Sequence, residues 1–377
     1  MSRDVFLTRT ASYLPLSPVS NDEMESVLGM VGGRPSRARR IVLRNNGIQS
    51  RHYALDPATG EPVMSNAELA AEAVRALGDI GPVDCLAAAT SRPDQLMPSH
   101  AVMVHGALGW PRLEVVSLAG ICLAGAAAFK YAWLSVRAGD SQRAVAVASE
   151  MASLGLRARN FDAEVDHKVN ELEARPEIAF EKDFLRWMLS DGAGAVLLEN
   201  KPSGSLSLKV LWVELSSAAN ELPPCMYSGA EKNDDDSLTG WQLFSTQECA
   251  ERSVFTVKQD VKLLNEHVVR ATLTEPLREL VKKHDLAGQQ IDWFLPHFSS
   301  NYFADPAAAG VVEAGLNIPR KNWFTNLVQK GNTGSASPFI MLDELFHSGR
   351  IQKGHKLLMF IPESGRFSSG FIFMEAV

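Results

Sequence analysis

Three residues, a cysteine, a histidine and an asparagine in that chain order, could together load and use an acyl thioester. Cys122 follows the alternating run LEVVSL (113–118) and precedes AGAAAFKYAWLSVRA, so it falls between a strand and the first turn of an alanine-rich helix. A helix start carries partial positive charge and free N–H groups, which favour a thiolate and can hold an oxyanion. Gly120 and Gly125 flank the cysteine and let backbone and substrate approach closely. His297 follows Pro296 in IDWFLPH, where a strand would end at the top of a sheet, a place where catalytic groups gather. Asn332 lies in KGNTGSASP, a small-residue turn ahead of a helix. Taken singly, each has a bland explanation: an inert buried thiol, a hydrogen-bonded core histidine, a turn or cap asparagine.

Two further groups extend this set. Glu150 ends the apolar run AVAVASE and could act as a base if a hydrophobic pocket raised its pKa; otherwise it is an acid capping a loop. Arg37, Arg40 and Arg44 are spaced by three and four, so a helix over PSRARRIVLRNN would gather them on one face. Such a basic face could steer an acidic carrier protein or coenzyme A, or simply be solvated.

The elements that must position these residues alternate between strand and helix. VDCLAAA (83–89) and AVAVA (144–148) read as buried strands, His100 to Leu108 as a helix, and the helix after Cys122 runs about four turns to Gly139. That alternation predicts an α/β protein with a parallel or mixed sheet covered on both faces. A weak internal repeat is also visible. SDGAGAVLLE (190–199) and ESGRFSSGFIFME (363–375) each run from a glycine-containing turn into an apolar strand, as if closing two halves that meet near residue 200. The segments 160–183 and 221–241 read as insertions or surface loops.

Composition narrows the function classes. With 46% hydrophobic and 21% charged residues over 377 positions, the chain has the balance of a globular protein with a large core. A net charge of −7 argues against nucleic acid as partner. No secretory leader or membrane-length apolar run is seen, which predicts a cytoplasmic protein. The four cysteines lack metal-site spacing, so neither a metal nor a disulfide framework is expected.

In this order and at these separations, Cys122, Pro296-His297 and Gly331-Asn332-Thr333-Gly334 resemble the site of the thiolase superfamily, more narrowly the ketoacyl synthase III group. TSRPDQLMPSHAVMVHGALG, RNNGIQSRHYA, SDGAGAVLLE and PESGRFSSGF agree, so the resemblance covers nearly the whole chain. Within that group PSRARRIVLRNNGIQSRHYA, AFEKDFLRWMLSDGAGAVLLENKP, FTVKQDVKLLNEH, FLPHFSSNYF and PESGRFS look closest to the dialkylresorcinol and cyclohexanedione-forming ketosynthases.

The resemblance implies a thiolase fold, with two pseudo-repeated halves (1–200 and 201–377) forming a five-layered αβαβα sandwich, and a homodimer. It implies acyl carrier protein or coenzyme A thioesters as substrates and no cofactor. Cys122 would be acylated and joined to a β-ketoacyl chain, the second chain being α,β-unsaturated, to give a 2,5-dialkylcyclohexane-1,3-dione, precursor of a dialkylresorcinol. His297 and Asn332 would donate hydrogen bonds to the incoming thioester oxygen. A second oxyanion hole would combine the Cys122 N–H with one from the Ser364–Arg366 turn, at Gly365 or Arg366.

Two departures from the ketoacyl synthase III pattern stand out. Arg366 follows Gly365 where a glycine-rich turn is usual, and Phe-Ser-Ser follows the histidine where Gln-Ala-Asn is usual. The second points away from ordinary fatty-acid initiation. A linear condensation or acyl transfer on the same site is the nearest alternative. A non-catalytic partner subunit is the other, and it should have lost its nucleophile.

Overall fold

The computed structural model describes residues 3–36, 38–161 and 185–377. Its frame is one nine-stranded sheet. The strands are β1 (Phe6–Tyr13), β2 (Cys85–Thr90), β3 (Glu114–Ala119), β4 (Arg143–Glu150), β5 (Gly192–Glu199), β6 (Leu208–Ser217), β7 (Trp293–Pro296), β8 (Lys356–Glu363) and β9 (Ser368–Ala376). Their spatial order is β7-β8-β9-β6-β1-β5-β4-β2-β3.

The sheet is two copies of one pattern meeting at a narrow seam. From β1 outward, β5 and β4 are antiparallel to their inner neighbours and β2 is parallel to β4. From β6 outward, β9 and β8 are antiparallel to theirs and β7 is parallel to β8. The two turn-to-strand segments paired in the sequence, which contain β5 and β9, occupy equivalent places. Between the copies, β1 and β6 share only Phe6↔Lys209 and Leu7↔Leu208.

Strand periodicity of two sorts side chains into three cores. On β2 and β4, Cys85, Ala87, Ala89, Ala144, Ala146 and Ala148 face a central core, while Leu86, Ala88, Val145 and Val147 face an outer one. On β8 and β9, Leu357, Met359, Ile361, Ile372 and Met374 face the same central core, and Leu358, Phe360, Phe371 and Phe373 the opposite outer one. Helices α2 (Asn66–Arg75) and α3 (His100–Leu108) cover the first outer face. Helices α4 (Ala124–Ala138) and α8 (Ser337–Phe346) fill the centre, and α6 (Glu275–Lys283) and α7 (Ala304–Glu313) cover the second outer face. This is the expected five-layered arrangement.

Helix α4 ends at Gly139, in the left-handed conformation (φ 91°) that caps a helix. The segment 221–241 is more than a surface loop. It carries three short strands, Met226–Tyr227, Ala230–Lys232 and Leu238–Gly240. The other expected insertion, 160–183, lies outside the described residues from 162 on. No described helix is long and apolar enough to cross a membrane.

Candidate active site

Cys122 sits in the turn between β3 and α4, two residues ahead of the helix, as its flanking sequence predicts. It is partly buried, whereas Cys85, Cys225 and Cys249 are buried. At the helix start the thiol also meets opposing influences. Burial, reinforced by the nearby carboxylates of Glu363 and Glu150, pushes the Cys122 thiol well above the ordinary thiol range. The pull of the helix pole is thus opposed by what surrounds the sulfur.

His297 is the residue after β7, and its N–H donates to the Phe360 carbonyl (2.8 Å), prolonging the β7–β8 pairing. Its ring is buried, and burial lowers its pKa to about 4, so the imidazole is neutral at physiological pH. Its Nε2 atom is buried with no hydrogen-bond partner among the described residues. A polar atom left unpaired in a core costs free energy, so a ligand is the natural partner.

Asn332 is held by its backbone against 188–190: its N–H donates to Met188 and its carbonyl accepts from Ser190. Its side-chain Oδ1 accepts from the Gly334 N–H (2.9 Å), which orients the amide and leaves the NH₂ group as a donor.

One cavity brings Cys122, His297 and Asn332 together. Apart from these, its wall is mostly apolar, with Met188, Met226, Leu264, Leu273, Phe303 and Phe360 prominent. Its volume is about 50 Å³, room for a few water molecules and not for an alkyl chain, so wall side chains must move as substrate enters. Among the lining residues, Cys122 and His297 are the titratable groups. The cavity thus gathers a thiol, a neutral imidazole with an unpaired nitrogen and an oriented amide.

Residues 281–370 match the family described as 3-oxoacyl-[acyl-carrier-protein] synthase III C terminal. Over 366 residues, 95% of each chain, the protein is 25% identical to a β-ketoacyl-[acyl-carrier-protein] synthase III of Methylococcus capsulatus. The solved structure of AbyA1, a tetronic acid condensing enzyme, superposes with a TM-score of 0.75 at 21% identity, covering 98% of this chain and 99% of that one. OleA of Xanthomonas campestris, solved as a cysteine-to-serine variant with lauric acid and lauroyl-CoA, gives 0.70 at 19% identity over 100% of both chains. The chain is ketoacyl synthase III-like. It is an enzyme of the acyltransferase type on a thiolase fold.

In this ketoacyl synthase III-like frame the remaining candidates separate. Glu150 acts electrostatically on Cys122 but is not among the residues that line the cavity. Both carboxylate oxygens are already engaged. Oε1 accepts from the N–H of Ser91 (3.0 Å) and from the N–H (3.2 Å) and Oγ (2.5 Å) of Ser335, and Oε2 accepts from Ser91 Oγ (2.5 Å). Burial raises its pKa against the pull of these bonds. Sequence shows an acid ending a strand; it does not show two serines folding over it.

In the turn after β8, Ser364 lines the cavity, whereas Gly365 and Arg366 do not. The Gly365 carbonyl accepts from Cys225 and Met226, and the Arg366 guanidinium donates to the Leu222 carbonyl (2.9 Å). Glu363, just before this turn, carries no local sequence signal of a role at the site. Its Oε2 accepts from the N–H groups of Ile121 (2.8 Å) and Leu123 (3.0 Å), one on each side of the nucleophile.

The basic helix is shorter than expected. Helix α1 (Arg39–Asn46) begins after Arg37, which lies outside the described residues; Arg40 and Arg44 are exposed on it one turn apart. Arg39 pairs with Asp22.

Proposed function

We propose that this enzyme joins two acyl thioesters and closes the product to a 2,5-dialkylcyclohexane-1,3-dione. The observation that carries the condensing step is the single cavity where Cys122 meets the unpaired Nε2 of His297 and the oriented amide of Asn332. Cys122 takes the first acyl group, releasing the carrier thiol, which divides one difficult condensation into two easier steps. His297 and Asn332 then donate to a carbonyl oxygen of the second substrate, stabilising the enolate formed when a carbon beside that carbonyl gives up a proton, which the freed Cys122 thiolate finally takes up. That carbon attacks the Cys122 thioester; a carbon–carbon bond forms, the C–S bond breaks and the cysteine is freed. Burial matters to this scheme because it keeps His297 neutral, as a donor must be if it is not to trap a charge.

Ring closure rests on the sequence resemblance, above all on FLPHFSSNYF and PESGRFS. It needs a second carbon–carbon bond, made by adding the carbon between the two carbonyls of the β-ketoacyl chain to the β-carbon of the α,β-unsaturated chain on Cys122, while the carbon on the other side of the keto group attacks the Cys122 thioester. The remaining thioester is then hydrolysed, releasing its carrier thiol, and lost as CO₂. The proton lost from the carbon that adds is regained at the α-carbon of the unsaturated chain after the addition, so this addition needs no net acceptor and His297 stays a donor. A neighbour of the same fold that holds lauroyl-CoA supports an acyl thioester as substrate class, and we extend this to carrier-protein thioesters and to a homodimeric enzyme.

The test is product analysis by mass spectrometry after incubation with pairs of β-ketoacyl and α,β-unsaturated acyl thioesters. A cyclic dione is expected. Linear β-ketoacyl product alone would sink the cyclising reading and leave a simple condensing enzyme.

A further inference from the structure

Strands β4 and β8 occupy equivalent places in the two halves, and each is eight residues long and ends on a glutamate, Glu150 or Glu363. Each glutamate stands opposite the first residue of the following strand, Gly192 for Glu150 and Ser368 for Glu363. Strand parity points both into the central helical layer, Glu150 with Ala144, Ala146 and Ala148, and Glu363 with Leu357, Met359 and Ile361.

There the two carboxylates cross over. Glu363, from the second half, accepts from the N–H groups of Ile121 and Leu123 at the start of α4, a first-half helix. Glu150, from the first half, accepts from the N–H and hydroxyl of Ser335 in the turn that leads into α8, a second-half helix. Negative charge at a helix start is favourable, so each contact holds a helix from one half to a strand of the other. One of these turns carries Cys122 and the other Asn332.

We propose that Glu150 and Glu363 are a reciprocal pair of positioning residues, Glu363 setting the Cys122 turn for acyl loading and Glu150 setting the Asn332 turn for condensation. The proposal rests on the roles assigned above to Cys122 and Asn332, but not on ring closure. At the Glu150 end the fit is close. A Cβ on Gly334 would lie 2.9 Å from Glu150 Cγ, and Gly334 is the residue whose N–H orients the Asn332 amide. Loosening Glu150 therefore frees the amide to turn. At the other end, Glu363 brackets Cys122 through its two neighbours and makes no bond to the N–H of Cys122 itself. It also places its charge beside the sulfur, consistent with the upward push on that thiol.

The pair is separated by two readouts on the intact enzyme: alkylation of Cys122 by iodoacetamide against pH, and the rates of acylation and condensation measured apart. Glu363→Gln keeps an oxygen for the two N–H groups but removes the charge. Its alkylation profile should move down by about one pH unit, roughly tenfold faster at pH 7.5. Glu150→Gln should leave that profile within about half a pH unit and acylation within about twofold, yet lower the kcat of condensation about tenfold or more with little change in KM. If Glu150→Gln folds poorly, Ser335→Ala removes one of the same bonds and should give the same split more weakly. Equal effects of both variants on both steps, or none on either, would overturn the pairing. Should the wild-type enzyme make only linear product while the split holds, cyclisation fails and the pairing stands.

Discussion

Around α4 the first half packs small residues against small residues, with Ala124, Ala126, Ala128 and Ala132 on the helix and Ala87, Ala89, Ala146 and Ala148 on the strands beneath it. On the outer face of the second half, aromatic residues take over, with Phe294, Phe298, Phe360, Phe371 and Phe373 in one cluster. The small side lets backbones meet. A Cβ on Gly125 would stand 2.3 Å from the Ser335 carbonyl oxygen, so the start of α4 rests directly on the turn beyond Asn332. The aromatic side meets the cavity with faces and edges, Phe298 and Phe360 among its lining. Reacting groups are thus placed by backbone contact from one side, while the space they face is shaped by side chains from the other.

The largest effect should come from the small side. Cys122→Ala should abolish acyl loading and product while the fold survives, as intact-protein mass spectrometry and thermal melting would report. Acylation of the variant, or of Cys85, Cys225 or Cys249, would remove the basis of the mechanism. Next come the donors: His297→Ala and Asn332→Ala should still allow Cys122 to be acylated but slow condensation by on the order of 10² to 10³. Condensation near the wild-type rate in both would make them structural residues.

The two steps should also part company with pH. Because the Cys122 thiol is raised, its acylation should climb about tenfold per pH unit from 6 to 8 without a plateau. His297 titrates at about 4, so condensation from the preloaded enzyme should stay nearly flat from pH 8 to 5.5 and fall only as the ring is protonated below that. A midpoint near 6.5 in stopped-flow condensation would show that His297 is not held neutral by burial.

A smaller effect sharpens the contrast between the two sides. Gly125→Ala should destabilise the fold by about 1–3 kcal/mol in denaturant unfolding through overpacking, whereas Phe298→Leu should keep the fold and alter the preference among acyl chain lengths. The reverse assignment would refute the division. Smallest of all, and outside both regions, Arg40→Ala with Arg44→Ala should raise KM severalfold for carrier-bound substrate, little for small thioester mimics, and less at high salt. Equal losses with both substrate types would point to the interior instead.

Much of this frame was legible because it rests on local patterns. The helix at His100–Leu108, the four turns ending at Gly139, and the repeat that places β5 and β9 can be read from period, caps and turn residues. What stayed hidden depends on contacts between distant segments. Glu363 lies 242 positions from Ile121, and Ser335 lies 185 from Glu150, so neither bond leaves a trace in local sequence. Met226 reaches the cavity from the segment 221–241, which reads as a loop, and Leu264 and Leu273 from helical turns that no residue pattern links to the site. Leu273 does so from a wider turn, the π-helical stretch Arg270–Thr274, which no residue pattern announces.

That last segment has a bearing on how such an enzyme could be redesigned or diversify. Met226, Leu264 and Leu273 belong to none of the nine strands of the repeated frame, nor to the two helices at its centre. Selection or engineering can therefore trade side chains there to admit longer, shorter or branched acyl groups without moving the nucleophile. The position where Gly125 meets Ser335 admits no such trade, since any side chain there collides with backbone. Innovation in substrate range is accordingly expected to accumulate between residues 226 and 273, while the contact beneath Cys122 stays closed to change.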